Sequence, residues 1–183
     1  ATPGDIWRIP AHDATQYGSR LIGSIFSDRR FTFPKSLFAV KDCLYFFTAN
    51  KPNALVVDFF AGSGTTLHAV NLLNAEDGGH RRCIMVTNNE VSADEARMLK
   101  DKGYQPGDAE WEKLGIAHYV TWPRTVCSIK GQDVNGNPLK GDYLGSEPPM
   151  HMADGFKANA AFFKLGFLDP CLLYTSPSPR DCS

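Results

Sequence analysis

Two short runs of apolar residues, 54–58 and 82–87, stand out in the hydrophobic pattern of the chain. Each has a short, unbroken apolar centre with polar residues only at its ends, which is typical of a buried strand in a parallel sheet. Between the two runs, apolar residues recur at helical spacing from Thr65 to about Ala75. A helix between two strands forms a crossover connection, so we expect the strands to be adjacent and parallel. The bend at 62–64 should then lie at their carboxyl ends.

Helical patterns flank this unit on both sides. Upstream, Pro34 suits the first turn of a helix over 33–47. Its apolar positions recur at helical spacing: Leu37, Val40, Leu44 and Phe47. Downstream, Ser92 and Glu95 match a capping box, in which Ser92 caps the helix start and Glu95 bonds back to the Ser92 amide. That helix should run to Lys102.

The pattern after residue 103 is less regular. It predicts a short helix over 108–114 and a second one over 116–129, in which Pro123 causes a kink or a restart. An Asn-Gly turn in 134–137 favours a small hairpin.

The two ends of the pattern differ from the middle. Residues 1–32 carry the breakers Gly4, Pro10 and Gly18 and are expected to be mostly irregular. Residues 162–168 resemble one more strand. The alternation of strands and helices predicts an α/β fold, a parallel sheet flanked by helices.

Composition narrows the class of protein. The chain has 183 residues, enough for one α/β domain, and contains no apolar stretch of membrane-spanning length. The formal net charge of −1 does not by itself indicate nucleic-acid binding. Five scattered cysteines without a Cys-x-x-Cys pair argue against a zinc site or a disulfide framework and favour reduced thiols in a cytoplasm. We therefore expect no metal site and no membrane partner.

The final thirteen residues, 171–183, are unlike the rest. They resemble a translated sequencing adapter, and the alternative is a natural Ser/Pro linker. Scars of this kind are excluded from fold reasoning. We expect a natural chain that stops near Asp169 or Pro170, and we expect deletion of 171–183 to leave the melting temperature unchanged.

The stretch 58–66 carries the most chemical information. A strand that ends in a tight glycine turn before a helix brings backbone amides close to a ligand at the edge of the sheet. Gly62 and Gly64 leave room for that approach. The stretch lacks the third glycine of a dinucleotide motif and the Gly-Lys-Ser/Thr ending of a phosphate loop. A purely structural turn is the alternative.

This stretch resembles motif I of the amino-methyltransferases that modify exocyclic nitrogens of adenine or cytosine in DNA. The resemblance implies a Rossmann-like, S-adenosylmethionine-dependent methyltransferase fold, incomplete in this chain, over residues 1–170. It implies that Asp58 accepts from the ammonium of S-adenosylmethionine and that amides around Phe60–Gly64 contact its carboxylate. The implied cofactor residues here are Asp58, Phe59, Phe60, Ala61, Gly62, Ser63, Gly64, Thr65 and Thr66. Phe59 stands where the family often has proline.

Two further segments complete the implied cofactor site. The second strand should be followed by an acid that binds the ribose hydroxyls, and Glu90 fits, with Asn88 or Asn89 as alternatives. The segment around Pro34 and Lys35 is similar to motif X, which closes over the methionine end. An amphipathic helix is the alternative there, because Ser36 replaces the usual second proline. Gly4–Trp7 also recurs in the family.

The loop that would align the target amine is not found in this sequence. The family needs Asp/Asn-Pro-Pro followed by an aromatic residue, whereas the Pro-Pro here lies in Glu147–Met150 and lacks both partners. We therefore assign no catalytic residue. In the β-class order of motifs, that loop lies upstream of motif X. For Thr121–Arg124 the simplest interpretation is packing and a surface charge.

The resemblance as a whole is to type III-like adenine modification proteins. It implies methyl transfer to N6 of an adenine flipped out of double-stranded DNA, a restriction subunit as a possible partner and a possible homodimer, in a prokaryotic cytoplasm. A methyltransferase of RNA or a small molecule, and a binding module of the same fold without catalysis, remain alternatives.

Overall fold

The computed structural model describes residues 7–28 and 30–166. The segment 171–183, predicted to be an adapter scar, lies outside these residues, as do residues 167–168 of the predicted last strand and most of Gly4–Trp7. Within the described part, the protein is an α/β structure with a small parallel sheet and surrounding helices.

The parallel sheet is formed by β1 (Leu55–Asp58) and β2 (Arg82–Met85), with Leu55 opposite Arg82 and Asp58 opposite Met85. Helix α3 (Thr65–Asp77) connects them and ends at Gly78, which adopts a left-handed conformation. The predicted parallel pair with a helical crossover is confirmed. The bend at Gly62–Gly64 lies at the carboxyl end of β1, between the strand and the helix.

One face of this two-stranded sheet carries exposed apolar side chains. Leu55 is 50% exposed, Val57 44% and Ile84 50%, while the alternate positions along both strands are half-buried. Helix α3 packs against β2 and against α2 (Leu37–Thr48). Among the described residues, helices therefore protect only one side of the sheet.

Helix α2 begins at Leu37, four residues later than predicted. Ser36 is its N-cap, accepting a hydrogen bond from the Ala39 amide at 3.3 Å, so Pro34 and Lys35 precede the helix. The Ser36 hydroxyl also donates to the carbonyl of Ala11 at 2.8 Å and is buried. Phe47, predicted to lie on the apolar face, is exposed, and Thr48 is buried instead, because Thr48 lies four residues after Leu44 on the covered face of the helix.

The prediction that residues 1–32 are mostly irregular was wrong for the described part of this segment, residues 7–28 and 30–32. After a 3-10 turn at Pro10–His12, a π-helical segment (Thr15–Arg20) continues directly into α1 (Leu21–Phe26). Helix α1 is stabilised by tertiary burial of Leu21, Ile22, Ile25 and Phe26. Gly18 is not a breaker: a β-carbon there would lie 2.6 Å from the Pro34 carbonyl oxygen, so its small size permits close packing.

Helices α4 (Ala93–Asp101) and α5 (Ala109–Lys113) follow β2. The predicted start of α4 is confirmed, since the Ser92 hydroxyl accepts from the Glu95 amide at 3.4 Å. The return bond differs from the prediction, because the Glu95 carboxylate accepts from the Ser92 hydroxyl at 2.7 Å rather than from its amide.

The segment after α5 is helical with a restart. A π-helical stretch (Ala117–Thr121) leads into α6 (Trp122–Lys130), and Pro123 lies in the first turn of α6 as predicted. The Asn-Gly turn closes a small hairpin, with an isolated antiparallel bridge between Gln132 and Pro138.

The remaining described residues form little regular structure. Two-residue strands β3 (Asp142–Tyr143) and β4 (Met150–His151) pair antiparallel. The predicted strand over 162–168 is wrong for its described part: residues 162–166 have no strand partner in the described chain. Phe163 and Leu165 are exposed there, so the apolar pattern reflected surface residues.

Two clusters of buried residues form the core. The first comprises Leu21, Leu37, Phe38, Ala69, Leu72, Tyr143 and Phe156. The second comprises Ile22, Ile25, Phe26, Val120, Cys127 and Leu139. Helix α1 contributes to both and so joins the sheet-and-helix unit to the later helices. None of the helices in the described part has the length and apolar character to cross a membrane.

Candidate functional site

The turn between β1 and α3 has a conformation that depends on glycine. Gly62 and Gly64 have φ angles of +51° and +77°, in the left-handed region that side chains rarely adopt. The Ala61 amide donates to the carbonyl of Val86 beyond β2 at 3.1 Å, and the Gly64 amide donates to the carbonyl of Ala61 at 2.8 Å. These bonds fix the turn at the carboxyl end of the sheet.

Asp58 ties the two ends of this turn together. One carboxylate oxygen accepts from the Phe60 amide at 2.9 Å, and the other accepts from the Thr66 hydroxyl at 2.6 Å. The residue is half-buried, and each oxygen retains a second lone pair. Asp58 therefore has the position of a turn-stabilising residue and still has acceptor capacity toward a ligand.

The amides of the turn are not equally engaged. Those of Phe60, Ala61 and Gly64 donate within the turn or to Val86. Within residues 7–28 and 30–166, the amides of Gly62 and Ser63 have no hydrogen-bond acceptor. Helix α3 has Gly64 as its N-cap and no side-chain cap, so its first amides add to a local positive potential. The arrangement is suited to an anionic group such as a carboxylate.

The two phenylalanines of the turn lie on the outside. Phe60 is 92% exposed and Phe59 is also largely exposed, whereas Ala61 is buried. Such exposed aromatic side chains next to a polar turn provide apolar surface for a ligand or for another part of a larger protein.

Behind the turn, a buried arginine contacts its hydroxyl side chains. Arg124 in α6 is 0% exposed, and its guanidinium donates to the Ser63 hydroxyl at 3.0 Å, the Thr65 hydroxyl at 2.8 Å and the Ser63 carbonyl at 3.3 Å. Burial lowers the pKa of Arg124 to about 10, so the group stays charged at neutral pH. The interpretation of Arg124 as a surface charge was wrong. Its side chain is buried, and the hydroxyls of the turn accept its hydrogen bonds there.

His68 and Tyr143 extend this polar cluster. Burial, and then the charge of Arg124, hold the pKa of His68 well below its usual value, so its imidazole is neutral. Arg124 lies 3.5 Å from His68 Nδ1, and Tyr143 Oη lies 2.9 Å from Nε2. Because arginine can only donate, Nδ1 is the acceptor and Nε2–H donates to Tyr143.

Thr121 contacts the turn next to Arg124. Its hydroxyl lies 2.6 Å from the carbonyl oxygen of Gly62 and 3.1 Å from that of Ile116, and its single proton is donated to the nearer oxygen, that of Gly62. A β-carbon on Gly64 would lie 3.2 Å from the Thr121 methyl group, so this helix and the turn are in close contact. The sequence pattern assigned no role to these residues. The short spacing between a threonine and an arginine on one helix face was the only signal.

Glu90 lines a cavity of about 320 Å³ beside the turn. The cavity walls comprise Arg30, Phe31, Thr32, Phe33, Glu90, Val91, Ser92, Glu95, Leu114, Ile116, Tyr119 and Val120. The Phe31 ring would lie 3.7 Å from a β-carbon on Gly62, so the wall of the cavity reaches the turn. A volume of this size is within the range of small-ligand pockets.

Asn89, the alternative to Glu90, is already engaged. Its amide nitrogen donates to the carbonyl and the carboxylate of Glu112, and its oxygen accepts from the amides of Ala117 and His118. Asn88 is exposed. Of the three candidates, Glu90 is the one that lines the cavity with a side chain that has no such bonds.

Pro34 and Lys35 line a neighbouring groove. This larger cavity, about 910 Å³, is bounded on one side by Ala14, Thr15, Ser19 and Arg20 and shares Phe31, Thr32 and Phe33 with the Glu90 cavity. Pro34 is buried and Lys35 is exposed. The structure thus brings the turn and Glu90 together through Phe31 and places Pro34 and Lys35 next to them.

In the part of the chain that the structure describes, no cluster of three His, Cys, Asp or Glu residues could hold a metal ion. The Pro148–Pro149 segment lies between β3 and β4, far along the chain from the turn and preceded by Glu147. These residues do not contribute to the turn or to the Glu90 cavity.

Comparisons with known proteins identify a family. A family model described as DNA methylase, of the N6/N4 type, matches residues 1–122. The chain is 41% identical over 78 residues to the type II methyltransferase M.KpnI of Klebsiella pneumoniae, covering 41% of this chain and 18% of that protein.

Two type III proteins also match. The chain is 38% identical over 91 residues to the StyLTI Mod subunit of Salmonella typhimurium, covering 50% of this chain and 14% of the relative. It is 36% identical over 89 residues to the EcoPI Mod subunit of Escherichia phage P1, covering 49% and 13%. The matched part therefore spans less than a fifth of the length of each of these relatives.

Proposed function

The chain belongs to the N6/N4 DNA methylase family, and from that premise we propose that it is part of a DNA methyltransferase that acts on adenine N6. The observation that carries the proposal is the turn at 58–66. Its open amides, its uncapped helix and its half-buried carboxylate together suit the zwitterionic methionine end of S-adenosylmethionine. Bound there, the cofactor would supply the methyl group.

Each residue of the site has a task in this proposal. The carboxylate of Asp58 would accept from the cofactor's ammonium, in addition to its bonds with Phe60 and Thr66. The amides of Gly62 and Ser63 would donate to its carboxylate. Such charge-assisted bonds are stronger than neutral ones.

The ribose and the far side of the cofactor would lie in the two cavities. The Glu90 carboxylate would accept from the ribose hydroxyls, and the cavity of about 320 Å³ that it lines with Phe31 and Tyr119 is within the size range of small-ligand pockets. Pro34 and Lys35, on the adjoining groove, would close over the methionine end. Thr65 and Thr66 would stabilise the turn rather than the ligand.

The transfer step itself needs groups outside this chain. The sequence has no Asp/Asn-Pro-Pro-aromatic loop to orient the target amine, and alignment of the reacting atoms supplies much of the rate in such a step. We place that loop, and most of the surface for double-stranded DNA, in other parts of a longer protein.

The finer description of the fold is part of the proposal. We assign residues 1–170 to an incomplete Rossmann-like methyltransferase domain, with 171–183 outside it. The exposed apolar face of Leu55, Val57 and Ile84 supports this assignment, because sheets of that fold are covered on both faces. Further segments of the domain would cover it.

The partners follow from the family. Two of the matched relatives are named as Mod subunits of type III restriction-modification enzymes. We propose that the longer protein works in such a system, with a restriction subunit as partner and a possible homodimer, in the cytoplasm of a prokaryotic cell.

The experiment has two parts. S-adenosylmethionine is titrated into the 183-residue chain by calorimetry, with NADH as a ligand for which the turn lacks the motif. Binding of S-adenosylmethionine but not of NADH is expected, and the reverse would contradict the cofactor assignment.

In the second part, the complete protein encoded by the gene is incubated with labelled S-adenosylmethionine and either duplex DNA or RNA. Label in N6-methyladenine of the DNA is expected. Label confined to the RNA, or no transfer despite cofactor binding, would favour the alternative classes.

A further inference from the structure

Thr121 and Arg124 contact successive residues of the glycine turn from behind. They are three positions apart, at the junction of the π-helical segment and α6, and such residues lie on one face of a helix. Thr121 donates to the carbonyl of Gly62, and Arg124 donates to the carbonyl and the hydroxyl of Ser63. Together these two side chains connect α6 to the whole middle of the turn.

Burial of the Arg124 guanidinium carries a large unfavourable desolvation free energy. A guanidinium that is 0% exposed loses its hydration, and within residues 7–28 and 30–166 no carboxylate pairs with it. Its Nε also has no acceptor there. An apolar side chain of similar volume would fill the space without this cost. An apolar side chain could not donate hydrogen bonds to the turn, as Arg124 does.

The hydrogen bonds of Thr121 and Arg124 determine which way the turn amides point. A peptide group is planar and trans, so its carbonyl and the following N–H point in opposite directions. When Thr121 holds the carbonyl of Gly62 inward, the amide of Ser63 must point outward, away from α6. This amide has no acceptor among the described residues.

We propose that Thr121 and Arg124 are positioning residues, which hold the turn in the conformation that presents the Ser63 amide to the carboxylate of the cofactor. The inference rests on the proposed function, because it assigns these residues a task in cofactor binding. Neither residue touches the ligand in this proposal. They act through Gly62, Ser63 and Thr65, and their effect is the preorganisation of the donors.

The first test uses a near-isosteric pair of variants. Thr121→Val removes the hydroxyl that donates to Gly62 and keeps the β-branched shape. Thr125→Val is the matched control, because Thr125 is buried on the same helix and its hydroxyl donates to the carbonyl of Thr121, not to the turn. We expect Thr121→Val to weaken S-adenosylmethionine binding about tenfold and Thr125→Val to leave it unchanged.

The second test asks whether Arg124 affects cofactor binding in addition to stabilising the fold. Arg124→Met is compared with Arg81→Met, because Arg81 is also buried but bonds to Asp77 and the carbonyl of Thr48 at the other end of α3. Both variants should lower the melting temperature. At a temperature at which both are folded, only Arg124→Met should lose affinity, about tenfold or more, and Arg124→Lys should recover part of it.

The outcomes distinguish this inference from the proposed function. Equal affinity loss in Arg124→Met and Arg81→Met, or none in Arg124→Met and Thr121→Val, would overturn the positioning role while leaving the cofactor site intact. If the parent chain does not bind S-adenosylmethionine, the cofactor assignment fails. Amide exchange measured by NMR then tests separately whether Thr121 holds the turn in its conformation. Faster exchange of the Ala61 and Gly64 amides in Thr121→Val than in Thr125→Val would support the positioning of the turn, and equal rates would refute it.

Discussion

At the scale of single residues, the carboxylate of Asp58 has two tasks that mutations can separate. It stabilises the turn through Phe60 and Thr66, and in the proposed function it also binds the cofactor's ammonium. Asp58→Asn keeps an oxygen for the Phe60 amide but removes the charge. We expect it to weaken S-adenosylmethionine binding by roughly one to two orders of magnitude, from the loss of about 1.5–3 kcal/mol, with a small change in stability.

Asp58→Ala is the companion variant, because it removes both functions. Calorimetric titration and thermal melting without ligand should show a loss of affinity together with a lowered melting temperature. Unchanged affinity in Asp58→Asn would show that Asp58 serves the turn alone and that the ammonium has another partner.

His68 predicts a dependence of stability on pH. Burial holds its pKa in the folded state well below the usual value of 6.5, so the unfolded chain binds the proton more tightly. The stabilisation is therefore complete above about pH 6.5 and is lost as the pH falls below it, with a limiting slope of about 1.4 kcal/mol per pH unit.

Urea unfolding of the parent and of His68→Gln, at about pH 7.5 and about pH 5.0, measures how much His68 contributes to the pH dependence of the unfolding free energy. His68→Gln should be less sensitive to the acid pH than the parent. His151→Gln is the control, because the hydrogen bond with Asp142 raises the pKa of exposed His151, and its small contribution has the opposite sign. The same pH sensitivity in the parent and in His68→Gln would contradict the prediction.

At the scale of elements, two serine N-caps differ in what surrounds them. Ser92 caps α4 at an exposed position, and Ser36 caps α2 while also bonding the Ala11 carbonyl inside the protein. Ser92→Ala should cost about 1 kcal/mol of unfolding free energy, as for an exposed cap. Ser36→Ala should cost more, about 2 kcal/mol, because it also leaves the half-buried Ala11 carbonyl without its donor.

Chemical denaturation of the two variants tests this order. The exposed cap serves as the reference, since both substitutions remove one hydroxyl from the same type of site. Equal costs would mean that water replaces the Ser36 hydroxyl at Ala11 and that the N-terminal segment is not held to α2 in this way.

At the scale of the whole molecule, cofactor binding and methyl transfer belong to different parts of the proposed protein. The chain contains the turn and the Glu90 cavity but no loop to align a target amine. We expect the 183-residue chain alone to transfer no methyl group to DNA even when it is saturated with S-adenosylmethionine. Measurable labelling of N6-methyladenine by this chain would disprove the prediction; the complete gene product is the positive control.

Local sequence determined the strand–turn–helix unit and its likeness to a known motif. The apolar runs ending in Asp58 and before Thr87, with glycines at 62 and 64, allow few other structures, because strand, turn and helix preferences all act within about ten residues. The start of α4 and the restart at Pro123 were predictable for the same reason. The family comparison agrees with the resemblance of the turn.

Only the tertiary structure decided which residues surround the turn. Nothing near Arg124 in the sequence indicates burial, because its acceptors Ser63 and Thr65 lie 61 and 59 residues away along the chain. Helix α1 has helix-breaking residues nearby in the sequence. It is stabilised by packing with residues far away along the chain, such as Val120 and Leu139 in one core cluster. Burial of a charge or of a weak helix depends on what the fold brings next to it, and local pattern does not contain that information.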